Sequence, residues 1–232
     1  LPIELWDLIF GFVQTKRKKK RHNRGLSRKQ WRQLTILMLV NREWRDLAWR
    51  QVRSVGYTSG QGAMPYSFLK DQVLPLAGAR LSSLALYATN SQPSPGILSH
   101  VIAQCPHLAR LCLSGLENSS QDTPNVNDIL CEHLPRTWAD SMEHLELGFI
   151  EGLLDKSLEA ICEGERRLSR LKMLSIRNSE SMSDEAIGRC VSKMTSLTTL
   201  DISALGQLTS QSFVRIFKGW GRRSVLPLLT IT

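Results

Sequence analysis

The chain has 232 residues, of which 42% are hydrophobic and 22% are charged, which excludes a disordered or fibrous protein and allows a buried core. The formal net charge of +9 would suit a nucleic-acid-binding protein, but the charge is concentrated at one end. Residues 1–60 contain 14 Lys and Arg against 4 Asp and Glu, whereas the remaining residues are close to neutral. The total charge therefore does not predict a general affinity for nucleic acid.

Cysteine content and hydropathy indicate the compartment. The five cysteines are odd in number and lie mostly among apolar neighbours, which indicates reduced, buried thiols rather than a disulfide framework. No apolar run approaches the roughly 20 residues that a membrane-spanning helix requires. We therefore expect a cytoplasmic and/or nuclear protein without a membrane partner. Because the chain begins with Leu1 rather than Met, we expect it to be a trimmed fragment.

Three short helices are predicted in the first 55 residues. The first covers residues 3–13 and follows Pro2, which suits the first turn of a helix because its missing N–H has no partner there. Ser27 is the predicted N-cap of the second helix, and the third covers residues 41–55. The first helix is apolar on almost every side, and three short helices cover little of such surface themselves. A partner surface is therefore implied.

A basic run separates the first two helices. Seven of the eleven residues in 14–24 are Lys or Arg, and they belong to an inserted loop of about residues 14–29. Such an insertion adds little closure entropy, since each doubling of loop length costs only about 0.6 kcal/mol. We interpret the run first as a solvated loop, second as a nuclear import signal and third as a contact for phosphates.

The remainder of the chain repeats. The pattern Leu-x-x-Leu-x-Leu, with close variants, starts at residues 81, 108, 142, 171, 197 and 226, and short amphipathic segments lie between the copies. Each copy buries its leucines only by stacking on its neighbours. The predicted fold class is therefore α/β: a three-helix module, a connecting segment at 56–79, and a solenoid over 80–232. The solenoid has parallel strands on its concave face and helices on its convex face, and we expect a further turn or cap beyond its last strand.

Two stretches of the helical module carry a resemblance to a known family. LPIELWDLIFGFV and LVNREWRDLA resemble the start and the close of the F-box, over residues 1 to about 55. The chain departs from that family in the long connector between the first two helices. CPHLARLCL and MSDEAIGRCV resemble the cysteine-containing subtype of leucine-rich repeat, which often follows an F-box.

The resemblance to F-box/leucine-rich-repeat proteins implies a function. It implies the substrate-recognition subunit of an SCF-type cullin–RING ubiquitin ligase, a subunit without catalysis or cofactor of its own. The helical module is expected to bind a Skp-family adaptor, and through it the cullin–RING ligase, while the repeats bind a target protein. The candidates for adaptor contact or module core are Leu1, Pro2, Leu5, Ile9, Val13, Leu37, Val40 and Trp44.

The concave face of the repeats is the predicted substrate site. Side chains alternate along a strand between core and concave face, so inward-pointing leucines leave every second residue outside. This row has mixed charge and lacks the basic stripe and stacked aromatics expected for nucleic acid, which favours a protein segment as ligand. The predicted substrate-contacting residues are Arg110, Cys112, His144, Glu146, Met173, Arg177, Thr199 and Asp201.

Motifs for catalysis and metal binding were also considered. The chain has neither a Gly-x-Ser-x-Gly elbow nor a P-loop. Cys105-x-His107 and Cys131-x-His133 contain four possible zinc ligands, but the pairs lie at different distances from their strand leucines, and a one-residue spacer is unlike usual zinc sites. We therefore predict no metal and no cofactor.

The alternative to a ligase subunit is a basic nuclear leucine-rich-repeat scaffold that binds protein or nucleic acid without ubiquitination.

Overall fold

The computed structural model describes the repeat region and a few residues before it. The described residues are 46, 49–50, 52–58, 66–88, 97–116, 125–150, 152–163, 168–221 and 228–230. The first two predicted N-terminal helices lie outside these ranges, and the third is described only at residues 46, 49–50 and 52–55. The prediction that it extends to residue 55 is wrong, because Ser54 and Val55 belong to a strand. The basic run and all eight candidates for adaptor contact or module core also lie outside them.

Seven parallel strands form a single sheet within the described residues, in the order of the chain. The strands are β1 (Ser54–Thr58), β2 (Ser83–Tyr87), β3 (Arg110–Ser114), β4 (His144–Gly148), β5 (Met173–Arg177), β6 (Thr199–Asp201) and β7 (Leu228–Thr230). Each strand pairs with the next one along the chain, so the sheet gains one strand per repeat. The predicted α/β class and parallel sheet are confirmed, and the strand order is compatible with a repeat solenoid.

Among the residues that the structure describes, six helical segments connect the strands. They are α1 (the continuous run Tyr66–Phe68, Leu69–Val73, Leu74–Ala77 and Gly78–Arg80), α2 (Ile97–Gln104), α3 (Val126–Asp128, continued by the π-helical Ile129–Trp138), α4 (Asp155–Glu163), α5 (Asp184–Lys193) and α6 (Ser210–Trp220). From α3 to α6, each helix contacts the next one in the chain. The helices therefore stack in the same order as the strands.

The sheet begins earlier than the leucine pattern predicted. β1 pairs with β2 so that Val55 lies beside Leu84 and Tyr57 beside Leu86, and α1 occupies much of the segment 56–79 that we predicted as a connection. Val55 and Tyr57 are buried, as is Val52. This first repeat has the spacing of the others, but Val and Tyr replace Leu, and both residue types favour strands. A search for leucines alone therefore misses it.

Two rows of strand side chains form the centre of the core. One row contains Leu84, Leu111, Leu145, Leu174 and Leu200, and the other contains Leu86, Leu113, Leu147 and Ile176; each is at most 2% exposed. The predicted alternation along the strands is therefore confirmed. Burial of one such side chain stabilises the fold by about 1.5–3 kcal/mol.

Polar side chains at the starts of the helices join successive repeats. Asp155, the first residue of α4, accepts hydrogen bonds from the N–H (2.8 Å) and hydroxyl (2.6 Å) of Ser183, the N-cap of α5. Asp184, the first residue of α5, accepts the corresponding bonds from Thr209, the N-cap of α6, at 2.6 and 2.7 Å. The same contact thus recurs one repeat later and positions the start of each helix on its predecessor.

The backbone is left-handed just beyond four of the strands. Gly115, Phe149 and Asn178 directly follow β3, β4 and β5, and Ala204 lies three residues after the end of β6; their φ values are 69°, 54°, 52° and 56°. Gly and Asn adopt this conformation easily, whereas other L-residues lose roughly 1–2 kcal/mol. At Gly115 a Cβ atom would lie 2.4 Å from the carbonyl oxygen of Ala88, so close approach also requires glycine there. Phe149 and Ala204 therefore hold strained backbone.

We expect Phe149→Asn to raise the free energy of unfolding by about 0.5–1 kcal/mol. Phe149 is 58% exposed, so the change loses little apolar burial while it relieves the left-handed strain. Urea denaturation followed by circular dichroism measures the change. Val214→Asn is the control, because Val214 is 51% exposed but lies in the right-handed helix α6. An equal rise in the free energy of unfolding in both variants, or a fall in Phe149→Asn, would contradict the interpretation that the backbone at Phe149 is strained.

Candidate functional site

Three rows of side chains cross the face of the sheet opposite the core leucines. We call this the open face; it is the concave face of the sequence prediction. The rows are Ser83, Arg110, His144, Met173 and Thr199; then Ala85, Cys112, Glu146, Ser175 and Asp201; then Tyr87, Ser114, Gly148 and Arg177. All eight predicted substrate-contacting residues lie in these rows, and their role in binding stays a prediction.

The open face also extends one strand further than the prediction. Gly56 of β1 pairs with Ala85, and Thr58 pairs with Tyr87, so both continue the rows. The available signal was the Val-x-x-Val-x-Tyr spacing that ends at Tyr57.

A charge network joins β4, β5 and β6 on the open face. Arg177 forms an ion pair with Glu146, and its Nε lies 3.6 Å from Oδ2 of Asp201. The hydroxyl of Ser175 donates to the same Asp201 oxygen at 3.4 Å, and the Ser203 N–H donates to Oδ1 at 3.2 Å. Two carboxylates thus surround one guanidinium, so the network carries a net charge of −1. Because Arg177 is partly exposed, each ion pair contributes at most about 1 kcal/mol.

Arg110 lies on β3, the strand next to this network. Among the described residues it has no ion-pair partner. His144 is its direct neighbour on β4. Burial and then the positive charge of Arg110 hold the pKa of His144 below its ordinary value, although the Glu143 carboxylate opposes this. His144 is therefore neutral near pH 7, and the open face is positive at β3 and net negative from β4 to β6.

A cleft of about 360 Å³ opens on this face over β2 to β5. Its walls include Tyr87, Arg110, His144, Glu146 and Met173. The volume lies at the small end of ligand pockets, which suits one or two side chains of an extended segment. The wall combines Arg110, which has no ion-pair partner in the part of the chain that the structure describes, with the Glu146 carboxylate and the apolar Met173, so it can recognise a polar side chain together with its methylene groups.

The cysteines of this region are thiols at neutral pH. Burial, and next the charge of Glu146, raise the pKa of Cys112 to about 12. Burial also raises the pKa of Cys105 to about 12. Since the thiolate is the nucleophile and the metal ligand, both cysteines suit packing and contact rather than covalent chemistry.

The described part of the chain shows neither a metal cluster nor a membrane-spanning helix. Within it, no group of three or more His, Cys, Asp and Glu side chains is placed to hold a metal ion. Cys131 lies in α3, where its Sγ is 3.7 Å from the hydroxyl of Ser157. None of the helices described has both the length and the apolar character needed to cross a membrane.

Comparison with known proteins finds similarity at the level of fold. No family model matches the chain, and no curated protein matches its sequence. The fold is similar to that of a chain in the crystal structure of the Rad7 and Elc1 complex in yeast, with a TM-score of 0.50 and 16% sequence identity. The match covers 82% of this chain and 52% of that chain, so this chain spans about half the length of the neighbour.

Proposed function

We propose that this protein is the substrate-recognition subunit of an SCF-type cullin–RING ubiquitin ligase. The F-box-like segment binds a Skp-family adaptor, and the open face binds the target protein. The observation that carries the proposal is the open face itself, where mixed-charge rows and a cleft of side-chain size lie on a seven-stranded sheet directly after that segment. Extended faces of this kind are the binding surfaces of repeat proteins.

The structural neighbour supports a role in an assembly. That neighbour was crystallised in a complex of Rad7 and Elc1. We propose that this chain likewise binds a partner protein. Its candidate segment for that contact is residues 1–55.

Such a subunit acts by position. A target held on the open face is brought close to a ubiquitin-conjugating enzyme, which raises the effective concentration of its acceptor lysine. In this proposal the receptor itself supplies no nucleophile. A packed sheet suits this task because it holds the bound target in one position.

Affinity purification from cells tests the proposal. We expect Leu5→Asp combined with Ile9→Asp to abolish co-purification of a Skp adaptor and a cullin while other partners are kept. The matched control is Leu76→Asp combined with Val214→Asp, because these apolar residues are 39% and 51% exposed in the repeats. Absence of adaptor from the intact chain, or an equal loss in the control, would refute the proposal.

The basic run favours a second candidate, a nuclear scaffold that binds nucleic acid. Contacts to phosphates weaken steeply as salt rises, so binding to duplex DNA or RNA should fall by orders of magnitude between 50 and 200 mM salt, roughly as in other proteins with many phosphate contacts. It should also vanish on deletion of residues 16–24. Salt-independent binding, or binding that survives the deletion, would exclude this function for the run.

A further inference from the structure

The open face also indicates the chemistry of its ligand, an inference that rests on the proposed function. We propose that the cleft over β2 to β5 binds an extended protein segment through an Asp or Glu side chain that pairs with Arg110. A basic residue of the same segment faces the Glu146–Arg177–Asp201 network. The ligand segment thus carries an acidic and a basic residue a few positions apart, and it binds in one orientation.

Charge compensation on the open face favours a carboxylate as the ligand of Arg110. Arg177 is paired with Glu146 and Asp201, and Glu143 is paired with Lys172 (3.1 Å) and Arg170 (3.4 Å). Arg110 is partly buried in the wall of the cleft and has no such partner in the described part of the chain. A guanidinium in this setting pairs best with a carboxylate, which it can bind with two parallel hydrogen bonds.

The groups around Arg110 also favour a carboxylate. His144 lies beside Arg110 in the cleft wall and, in its neutral form, can donate one N–H to the same carboxylate. Within the described residues, the cleft wall therefore has one positive charge without an ion-pair partner, Arg110, and one carboxylate, Glu146, that is already paired with Arg177. One positive charge matches the single negative charge of Asp or Glu better than the charge of about −1.5 to −2 on a phosphate. The net negative network beside it also opposes a nucleic-acid backbone.

Register on the sheet sets the distance between the two ligand residues. Neighbouring strands lie about 4.8 Å apart and residues along a strand about 3.3 Å apart, so Glu146, one strand across and two residues further along than Arg110, is roughly 8 Å away, and Asp201, three strands across, is roughly 16 Å away. An extended ligand advances about 3.3 Å per residue, so these separations correspond to about two to five residues. The acidic and basic residues of the ligand are therefore expected about two to five positions apart.

Titration of the full-length chain with synthetic peptides tests the inference. The probe is a 12-residue Gly/Ser/Ala peptide that carries Asp and, three residues later, Lys; the comparison peptides replace Asp with Asn, Asp with phosphoserine, or Lys with Ser. Binding is followed by NMR from the Arg110 Nε–H and His144 ring signals. We expect the Asp/Lys peptide to shift these signals, and to bind at least tenfold more tightly than the Asn peptide.

Variants of the chain complete the test. Arg110→Gln and His144→Gln are expected to weaken binding of the Asp/Lys peptide, the first by at least tenfold. Arg215→Gln, on α6 and 3.7 Å from Glu185, is the matched control and should leave binding unchanged. Thermal unfolding of each variant verifies that it is folded. If Arg110→Gln does not fold, the test is decided by the binding of His144→Gln and by the comparison with the Asn peptide. Equal binding of the Asn peptide, or unaltered binding by Arg110→Gln, overturns the inference.

Three further outcomes are distinguishable. Tighter binding of the phosphoserine peptide than of the Asp peptide overturns the inference in favour of a phosphorylated ligand. A chain that captures the adaptor but binds none of the peptides refutes the ligand inference and leaves the proposed function standing. A chain that binds the Asp/Lys peptide but captures no adaptor supports the ligand inference and refutes the ligase role.

Discussion

Replacement of Trp138 with Ala is expected to lower the free energy of unfolding by about 3–5 kcal/mol. Trp138 is fully buried at the end of α3, and its Nε1 donates a hydrogen bond of 2.7 Å to the carbonyl oxygen of Cys105 in the preceding repeat. The change leaves a large cavity and removes a bond between repeats. Because domains are stable by only about 5–15 kcal/mol, this loss is a substantial fraction of the total.

Urea unfolding of the full chain measures this loss, with Trp138→Phe as control. Phe keeps most of the buried volume but cannot donate the hydrogen bond, so we expect it to cost about 1–2 kcal/mol. A loss below 1 kcal/mol for Ala, or equal losses for Ala and Phe, would contradict the cavity argument. Trp220 repeats the arrangement, since it is fully buried and donates to the Val191 carbonyl at 3.1 Å. Trp220→Ala should therefore also destabilise strongly.

Replacement of Asn127 with Leu is expected to cost about 2–4 kcal/mol, because it leaves buried polar groups without partners. The Asn127 amide donates to the carbonyl of Gly152 at 2.9 Å. Its oxygen accepts from the N–H of Leu154 at 3.1 Å and from the hydroxyl of Ser157 at 2.5 Å. Asn127 is 6% exposed and Ser157 is 0% exposed, so water cannot readily replace these bonds.

Gln207→Leu is the matched control for Asn127→Leu. Gln207 also connects neighbouring repeats, through a 3.2 Å bond to the Glu180 carbonyl, but it is exposed. Water can replace that bond, so we expect a cost within about 0.5 kcal/mol. Hydrogen exchange adds a local measurement, since the Leu154 amide should exchange faster in the Asn127 variant alone. Equal losses in the two variants would show that burial does not determine the cost.

Much of the repeat architecture could be predicted from leucine spacing. The six strands from β2 to β7 coincide with the six predicted motifs, because a solenoid imposes the same two buried positions on every strand. The first repeat was not predicted, since Val55 and Tyr57 occupy the buried positions of its strand. The strained turn at Phe149 was not predictable either, because its left-handed backbone follows from its register position rather than from its residue type.

The candidate site was predictable in part. Alternation placed Arg110, His144, Glu146 and Asp201 on one face, and the structure agrees. It could not indicate which charges compensate each other. Arg177 meets Glu146 and Asp201 from positions 31 and 24 residues away, which only the stacking of strands brings together.

The amino-acid sequence by itself therefore determined the repeat period, the buried leucine rows and the face on which polar side chains lie, because these depend on the alternation within each strand. It is also the sole source of the F-box resemblance. Tertiary structure alone decided that Arg177 is neutralised while Arg110 is left unpaired in the described residues, and where the cleft opens. The reason is that ion pairing and cavity shape depend on distances between strands, which no spacing along a single chain specifies.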